Sequence, residues 1–408
     1  MYLTHLSVSN FRKISRLDKA IPRGALLLVG GNAQGKTSLL EAIYFLATMA
    51  SFRADHDREL LDFTLEKEPL VVARLTAEYH RGGKKHTLEV RLIREMTPLN
   101  GASRMRKEVL LDRAECKLRA AIGQIAAVFF SPQLMSVIEG APEERRRYLN
   151  LMISQVSPHY VSALADYTHA LAQRNALLKQ LAESNGDQTQ LDFWDEQLTL
   201  FGSQLMYERV RAVQDLRQLA ASIHRKLTPN KAVLRLVYQP AYQMPEETVP
   251  APLGQYALPI TASADQRRLS VEELRQGFQM QLDLRRREEI ARGVTTLGPH
   301  RDELRFLEDG IDLGTYGSRG QARTALLSLK LAEVFWMKQK IGEWPVLLLD
   351  EVLAELDIQR RADLLEQLAE SEQTILATTD LAMFSSQFVQ KATVWEVQEG
   401  NVSEGKIP

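Results

Sequence analysis

The 408 residues include a single cysteine, Cys116. One thiol excludes an internal disulfide framework and a cysteine-rich zinc site, and it fits a reducing compartment, so a cytoplasmic location is expected. Long apolar runs are also missing: no stretch approaches the roughly 18 uninterrupted apolar residues of a spanning helix, and no membrane partner is expected. Met1 to Arg16 has no apolar core of the kind a secretory leader needs. Nor is there an excess of either charge, with 51 Lys and Arg against 52 Asp and Glu and a net charge of −1. Charge alone therefore gives no support to nucleic-acid binding, because a dedicated DNA-binding domain usually carries a clear basic excess. No internal repeat or low-complexity tract is evident. What remains is an ordinary globular balance, 45% hydrophobic and 25% charged, in a chain long enough for two or three domains.

Periodicity divides the chain. Residues 2–9 alternate as a half-buried strand, Ala25 to Val29 is a short buried strand, and Leu39, Leu40, Ile43, Tyr44 and Leu46 lie at helical spacing. Further strand-like runs at 70–79, 86–92, 109–111 and 125–130 make the first part a β-rich lobe. From about 142 to 226 helix formers dominate, broken at Ser184 to Asp187. Leu191, Trp194, Leu198, Phe201 and Leu205 step by 3 and 4, which predicts a short helical hairpin packing on its own lobe. Five prolines within 239–265 mark an irregular connection, and Ser270 with Glu273 reads as a capping box opening a helix toward Ile290. A compact lobe resumes after Gly293.

Gly30-Gly31-Asn32-Ala33-Gln34-Gly35-Lys36-Thr37, followed by Ser38, matches G-x-x-x-x-G-K-[ST] between a buried strand and a helix. In that context loop N–H groups surround phosphate oxygens, Lys36 reaches the β- and γ-phosphates, and Thr37 ligates Mg²⁺, so ATP and Mg²⁺ are the expected cofactors. Val346-Leu347-Leu348-Leu349-Asp350-Glu351 is a buried strand ending in two acids: Asp350 to hold the metal, Glu351 to orient or deprotonate the attacking water. Lys36 and Asp350 are 314 positions apart, so a whole second lobe is expected between the two halves of one nucleotide-binding fold. Ser318-Arg319-Gly320-Gln321 before a helical run is a second anion-binding arrangement, and in a chain that already has one cradle it suggests a cap on nucleotide held by another subunit.

The order P-loop, Ser-Arg-Gly-Gln, Asp-Glu, then Ala354-Glu355-Leu356-Asp357 resembles the Walker A, signature, Walker B and D-loop series of ABC-type ATPases. Asn10-Phe11-Arg12, Leu40-Glu41-Ala42-Ile43-Tyr44, Ser51-Phe52-Arg53, Phe130-Ser131-Pro132, Glu144-Arg145-Arg146-Arg147 and Gly298-Pro299-His300-Arg301-Asp302 narrow the resemblance to the RecF family of bacterial recombination mediators, over about residues 2 to 380. The resemblance implies an α/β fold, an ABC-type P-loop ATPase head of mixed β-sheets and helices with an inserted, mainly α-helical arm lobe. The expected segments are 1–130 and 291–408 for the head and 131–290 for the arm. It also implies an ATP-dependent homodimer, each nucleotide lying between one subunit's P-loop and the other's Ser318, Gly320 and Gln321. The dimer would bind double-stranded and gapped DNA and act with RecR and RecO in loading RecA, in gap repair and the SOS response. Slow, DNA-stimulated ATP hydrolysis would release it.

By the same resemblance Arg12 and Arg53 fall near the nucleotide, Gln133 at a metal-side glutamine-loop position, and Asp357 in a loop that crosses the dimer seam. Glu351 stands where many members have Asp, and Thr378-Thr379-Asp380 where many ABC proteins have a switch histidine. His300, Arg301 and Asp302 fit either a structural network or a place near ATP. The triplets Arg145–Arg147 and Arg285–Arg287 have acids beside them and read as paired or solvated faces; Lys84, Lys85, Arg104, Arg106 and Lys107 are better candidates for DNA backbone contact. Two competing readings are a transport ATPase subunit, which would usually bring its two Walker motifs within ~150 residues, and a scaffold that binds ATP without hydrolysing it.

Overall fold

The computed structural model describes residues 1–96, 103–184, 186–228, 230–242, 270–355, 358–368 and 370–405. The expected D-loop residue Asp357 and most of the proline-rich connection lie outside them. The chain forms two compact units, Met1–Met135 with Ser154–Pro158 and Leu326–Pro408, and Ser136–Ile153 with His159–Ala325. Residues 291–325, grouped from sequence with the last head segment, thus pack in the second unit, for a reason given below.

In the first unit, β1 (Tyr2–Phe11), β2 (Ile14–Ala20), β4 (Leu70–Arg81), β5 (Lys84–Met96), β6 (Ser103–Leu111) and β7 (Ala114–Glu115) form an antiparallel sheet in the order β2-β1-β4-β5-β6-β7. Its inward positions, among them Leu3, Leu6, Val8, Leu75, Ala77 and Val90, are fully buried. β3 (Gly24–Val29) and β8 (Ala127–Phe130) belong to a different sheet. Helix Lys36–Thr48 is buried at eleven of its thirteen positions, which fits an element hydrophobic almost all round. Its Leu39, Leu40, Ile43, Phe45 and Leu46 share one core with residues of both sheets.

The second unit is built on helices Pro142–Ser154, Pro158–Glu183, Gln190–Leu227 and Val271–Arg292. The capping box at Ser270 and Glu273 is formed, with Ser270 N donating to Glu273 Oε2 at 2.7 Å and Glu273 N to Ser270 Oγ at 3.2 Å. Leu191, Leu198 and Leu205 are fully buried as the 3–4 spacing predicts. Two arginines are buried as completely. Arg174 Nε donates to Asp195 Oδ1 at 2.5 Å, and Arg174 Nη1 approaches Glu289 Oε2 at 2.7 Å. Arg209 donates to Tyr160, Asn150, the Pro299 carbonyl and Asp302. Each guanidinium spreads its donors over several acceptors, which is the condition for burying such a group. A three-stranded sheet completes the unit: β9 (Leu234–Gln239), β10 (Glu303–Glu308) and β11 (Ile311–Asp312), in the order β11-β10-β9. Antiparallel pairing of Glu303 with Gln239 through Glu308 with Leu234 is what draws the 291–325 stretch into this unit.

Back in the first unit, β12 (Val346–Asp350), β13 (Gln373–Thr378), β14 (Thr393–Gln398) and β15 (Asn401–Glu404) join β3 and β8 in the order β15-β14-β3-β13-β12-β8. All pairs are parallel except the β14–β15 hairpin. Register places Val29 opposite Thr378, Asp350 opposite Ala377 and Leu349 opposite Phe130. Four carboxyl ends therefore finish at one edge, where open α/β sheets hold their ligands.

Candidate nucleotide site

The loop after β3 carries the Gly30 to Thr37 motif onto that edge. Gly30 is glycine for steric reasons, since a Cβ there would lie 2.3 Å from the Val397 carbonyl oxygen of β14. The loop is held from outside at two points. Gln34 accepts from the β14–β15 turn twice, its carbonyl from Gly400 N and its Oε1 from Glu399 N, each at 2.8 Å. Lys13 Nζ donates to the Ala33 carbonyl at 2.8 Å. Gln34 thus works as an anchor of the loop, a role the motif does not reveal.

Lys36 is buried, its ammonium donating to the carbonyls of Gly30 at 2.7 Å and Gly31 at 2.8 Å, with Glu351 Oε1 at 3.8 Å. Burial pulls its pKa below the usual lysine value, while Glu351 and Asp350 pull the other way. Thr37 Oγ1 donates to Asp350 Oδ1 at 3.1 Å, joining the two motifs across 313 positions. Burial raises the Asp350 pKa above the ordinary aspartate value; the Thr37 bond and the charges of Arg53 and Lys36 oppose that rise. Glu351 follows with φ 54°, a left-handed conformation that leaves its carboxylate exposed at the mouth. Thr378 Oγ1 accepts from Asp380 N at 3.2 Å, so the segment in the switch-histidine position closes on itself.

The remaining expected residues fall in two groups. Arg53 is fixed beside this edge because Phe52 stacks on Phe129 of β8 at 3.8 Å and Arg53 N donates to Ser51 Oγ at 2.8 Å. Gln133 is exposed just beyond the end of β8, its N–H on Ser131 Oγ at 3.3 Å. Arg12 is committed elsewhere: its Nε and Nη2 grip the fully buried Glu41 at 3.0 and 2.8 Å, and its Nη1 donates to the Glu59 carbonyl. Ser51 Oγ donates to the same carboxylate. Sequence reading missed Glu41 because an acid inside a helix looks solvent-facing; its spacing to Leu40 and Tyr44 carries no mark of burial.

Ser318, Gly320 and Gln321 belong to the second unit, at the start of helix Arg319–Ile341. Ser318 N donates to Gln321 Oε1 at 2.9 Å and Gln321 N to Ser318 Oγ at 3.3 Å, a reciprocal cap. His300 accepts from the Tyr167 hydroxyl at Nδ1, 2.6 Å, and donates from Nε2 to the Thr295 carbonyl, 3.2 Å; burial holds its pKa down at about 4. Asp302 accepts from Tyr238, Arg209 and Ala241 N. His300 and Asp302 are thus parts of a satisfied structural network within their own unit, while Arg301 is exposed. Arg145 is bidentate with Glu303, and Arg286 meets Asp192, Asp195 and Asp283, so both are paired as expected, though with none of the acids directly beside the triplets. Of the basic candidates for DNA, Lys85 pairs with Glu78, Arg106 with Glu95 and Glu108, and Lys107 with Asp57, while Lys84 and Arg104 are exposed.

Among the described residues no three His, Cys, Asp or Glu side chains gather as a cation cage. One hydroxyl and one carboxylate, Thr37 and Asp350, fit a Mg²⁺ ion that takes its other ligands from phosphate and water. No described helix is long and apolar enough to cross a membrane.

Residues 2–403 match the family model for the RecF/RecN/SMC N terminal domain. The chain is 40% identical to the DNA replication and repair protein RecF of Chloroflexus aggregans, over 99% of this chain and 100% of that one. It is 34% identical to the RecF of Halalkalibacterium halodurans, again over 99% and 100%. A solved structure of the recombination mediator protein RecF with ATP in the RecFOR pathway superimposes with a TM-score of 0.81 at 26% identity, covering 99% of this chain and 98% of that chain.

Proposed function

Because the chain belongs to the RecF family of DNA replication and repair proteins, with the ABC-type ATPase head fold of that family, we propose that it is an ATP-dependent DNA clamp of recombinational gap repair. The observation that carries the reading is the 3.1 Å contact between Thr37 and Asp350 at the carboxyl edge of a parallel sheet, with Lys36 and Glu351 beside it. ATP supplies the transferable γ-phosphoryl group, and Mg²⁺ neutralises charge on its oxygens.

The loop from Gly30 to Ser38, Asn32 and Ala33 included, binds phosphate through backbone N–H groups and the positive end of helix Lys36–Thr48. Lys36 exchanges two carbonyl acceptors for phosphate oxygens. Thr37 and Asp350 would hold the metal, with Gln133 a further candidate ligand, and Glu351 would accept the proton of the attacking water. Arg53 adds positive charge near Asp350, and Arg12 acts through Glu41 by fixing the helix that starts at the phosphates. Ser318, Gly320 and Gln321 of one copy cap the γ-phosphate held by another, with Asp357 at the seam between them. Pairing of two copies creates the surface for double-stranded and gapped DNA, hydrolysis separates the copies, and RecR and RecO are the partners through which RecA is loaded in the cytoplasm. A chain with net charge −1 has no strong standing field for DNA, so binding depends on that pairing and weakens steeply with salt.

Light-scattering sizing with ATP, ADP and no nucleotide tests the reading on wild type and Glu351→Gln. A dimer with ATP that persists in the variant is expected. A monomer under every condition refutes the clamp.

A further inference from the structure

The side chain of Gln321 is held at both ends of its amide. Its Oε1 accepts from Ser318 N, closing the turn, and its Nε2 donates to Glu308 Oε1 at 2.7 Å. Glu308 is the last residue of β10, only 7% exposed, and its backbone position is set by pairing with Leu234 on one side and Ile311 on the other. Its second oxygen accepts from Nε2 of His224, 2.9 Å away, on the last turn of helix Gln190–Leu227 and fully buried. A carboxylate so enclosed is costly unless each oxygen has a donor, and here each has one from a different element.

We propose that Glu308 is a positioning residue for the Ser318–Gln321 turn. By pinning the Gln321 amide it fixes the reciprocal cap, and so the direction in which the Ser318 hydroxyl and the N–H groups around Gly320 face outward. His224 holds the far oxygen and keeps the carboxylate from rotating away. Nothing at Gly320 itself restricts the turn, since a Cβ there would meet only Ser318 Oγ at 4.0 Å. Besides the reciprocal cap and the Thr324 bond to the Gly320 carbonyl, the Gln321–Glu308 bond is what ties the turn to the neighbouring sheet. This inference rests on the reading that the turn caps nucleotide held by a second copy.

The test compares wild type with Glu308→Ala, Glu308→Gln, Gln321→Ala and the Glu308→Ala/Gln321→Ala pair. Fluorescent-ATP binding to the monomer is measured beside ATP-driven dimerisation. Glu308→Ala is expected to weaken dimerisation about tenfold and leave monomer ATP affinity unchanged. Glu308→Gln restores it, because glutamine has the same shape and still offers a side-chain oxygen as acceptor to Gln321. In the Gln321→Ala background the Glu308→Ala change adds nothing, the signature of two residues acting as one unit.

Wild-type dimerisation by Glu308→Ala, or multiplicative effects in the pair, overturns the proposal. Hydrogen exchange of the N–H groups of 318–324 gives a readout independent of dimerisation: faster exchange in Glu308→Ala supports the proposal, and unchanged exchange overturns it. If wild type itself never dimerises, the clamp reading fails and hydrogen exchange alone decides the role of Glu308.

Discussion

Replacing Gly400 with alanine should loosen the phosphate loop from outside the motif. Gly400 has φ +79°, and a Cβ there would lie 2.0 Å from the Lys13 carbonyl oxygen, a backbone atom that cannot step aside. The left-handed conformation costs an alanine about 1 kcal/mol. Relieving the clash moves the turn away from Gln34, breaking the two 2.8 Å bonds from Glu399 N and Gly400 N at about 1 kcal/mol each. The sum is about 3 kcal/mol of local stability. If the loop must remake its anchor to bind nucleotide, up to about 2 kcal/mol of that appears in affinity, roughly 30-fold in Kd. Gly82→Ala is the matched control: its φ is +55° and nothing lies within 4 Å, so it carries only the conformational cost of about 1 kcal/mol. Fluorescent-ATP titration and thermal denaturation of both variants separate the contributions. Wild-type ATP affinity in Gly400→Ala, or equal damage from Gly82→Ala, would refute the argument that the β14–β15 turn braces the loop.

Other perturbations test other parts of the molecule. Burial raises the Asp350 pKa, so its ionisation at neutral pH opposes folding, and that opposition fades as pH falls through the raised value. Asp350→Asn should therefore melt higher than wild type near pH 7, by a margin that shrinks in acid, while ATP hydrolysis is lost; a lower melting point near pH 7 contradicts the assignment. His300 titrates the other way. Its pKa falls from 6.5 to about 4, so the folded state resists a proton that the unfolded chain accepts. The stability present above pH 6.5 should decline on acidification toward about pH 4, by about 3 kcal/mol at most, and a His300→Gln variant should lack that part of the slope in a pH series of urea melts. In the arm, Asp195→Ala removes a buried carboxylate shared by Arg174 at 2.5 Å and Arg286 at 2.7 Å; Arg174 keeps Glu289 and Arg286 keeps Asp192 and Asp283, so the cost should be about 3 kcal/mol, the low end for a broken buried pair. Asp192→Ala, whose 61% exposed carboxylate also meets Arg286, should cost under about 1 kcal/mol in the same calorimetric comparison.

Much of the nucleotide edge is legible in the sequence because its signals are local. A run of apolar residues, a glycine-rich turn and a helical pattern are contiguous at 25–49, and the strand ending in Asp350 and Glu351 carries its own mark. The braces of that edge are not contiguous: Gln34 is held by Glu399 and Gly400, and Arg12 by Glu41, contacts that only the sheet order creates. The alternation of Leu234, Leu236 and Tyr238 is a readable strand signal, yet its partner Glu303–Glu308 lies beyond the proline-rich stretch, so the second boundary is misplaced. Charged residues mislead most. Arg174 and Arg209 sit in helices where such residues are usually solvated, and their acceptors Glu289 and Asp302 come from far along the chain.

The position of β3 has a consequence for synthesis. Its hydrogen-bonded neighbours are β13 and β14, both from the last part of the chain. A ribosome working at about 5 to 20 residues per second makes Gly24–Val29 early and reaches Gln373 roughly 20 to 70 seconds later. Throughout that interval an apolar strand with a buried centre lacks its native strand neighbours, and the loop that follows it lacks the anchor on Gln34. The nascent protein therefore offers a sticky edge for most of its synthesis, and it should depend on chaperones that hold early segments. Its ability to take up nucleotide should arrive all at once, near the end of translation.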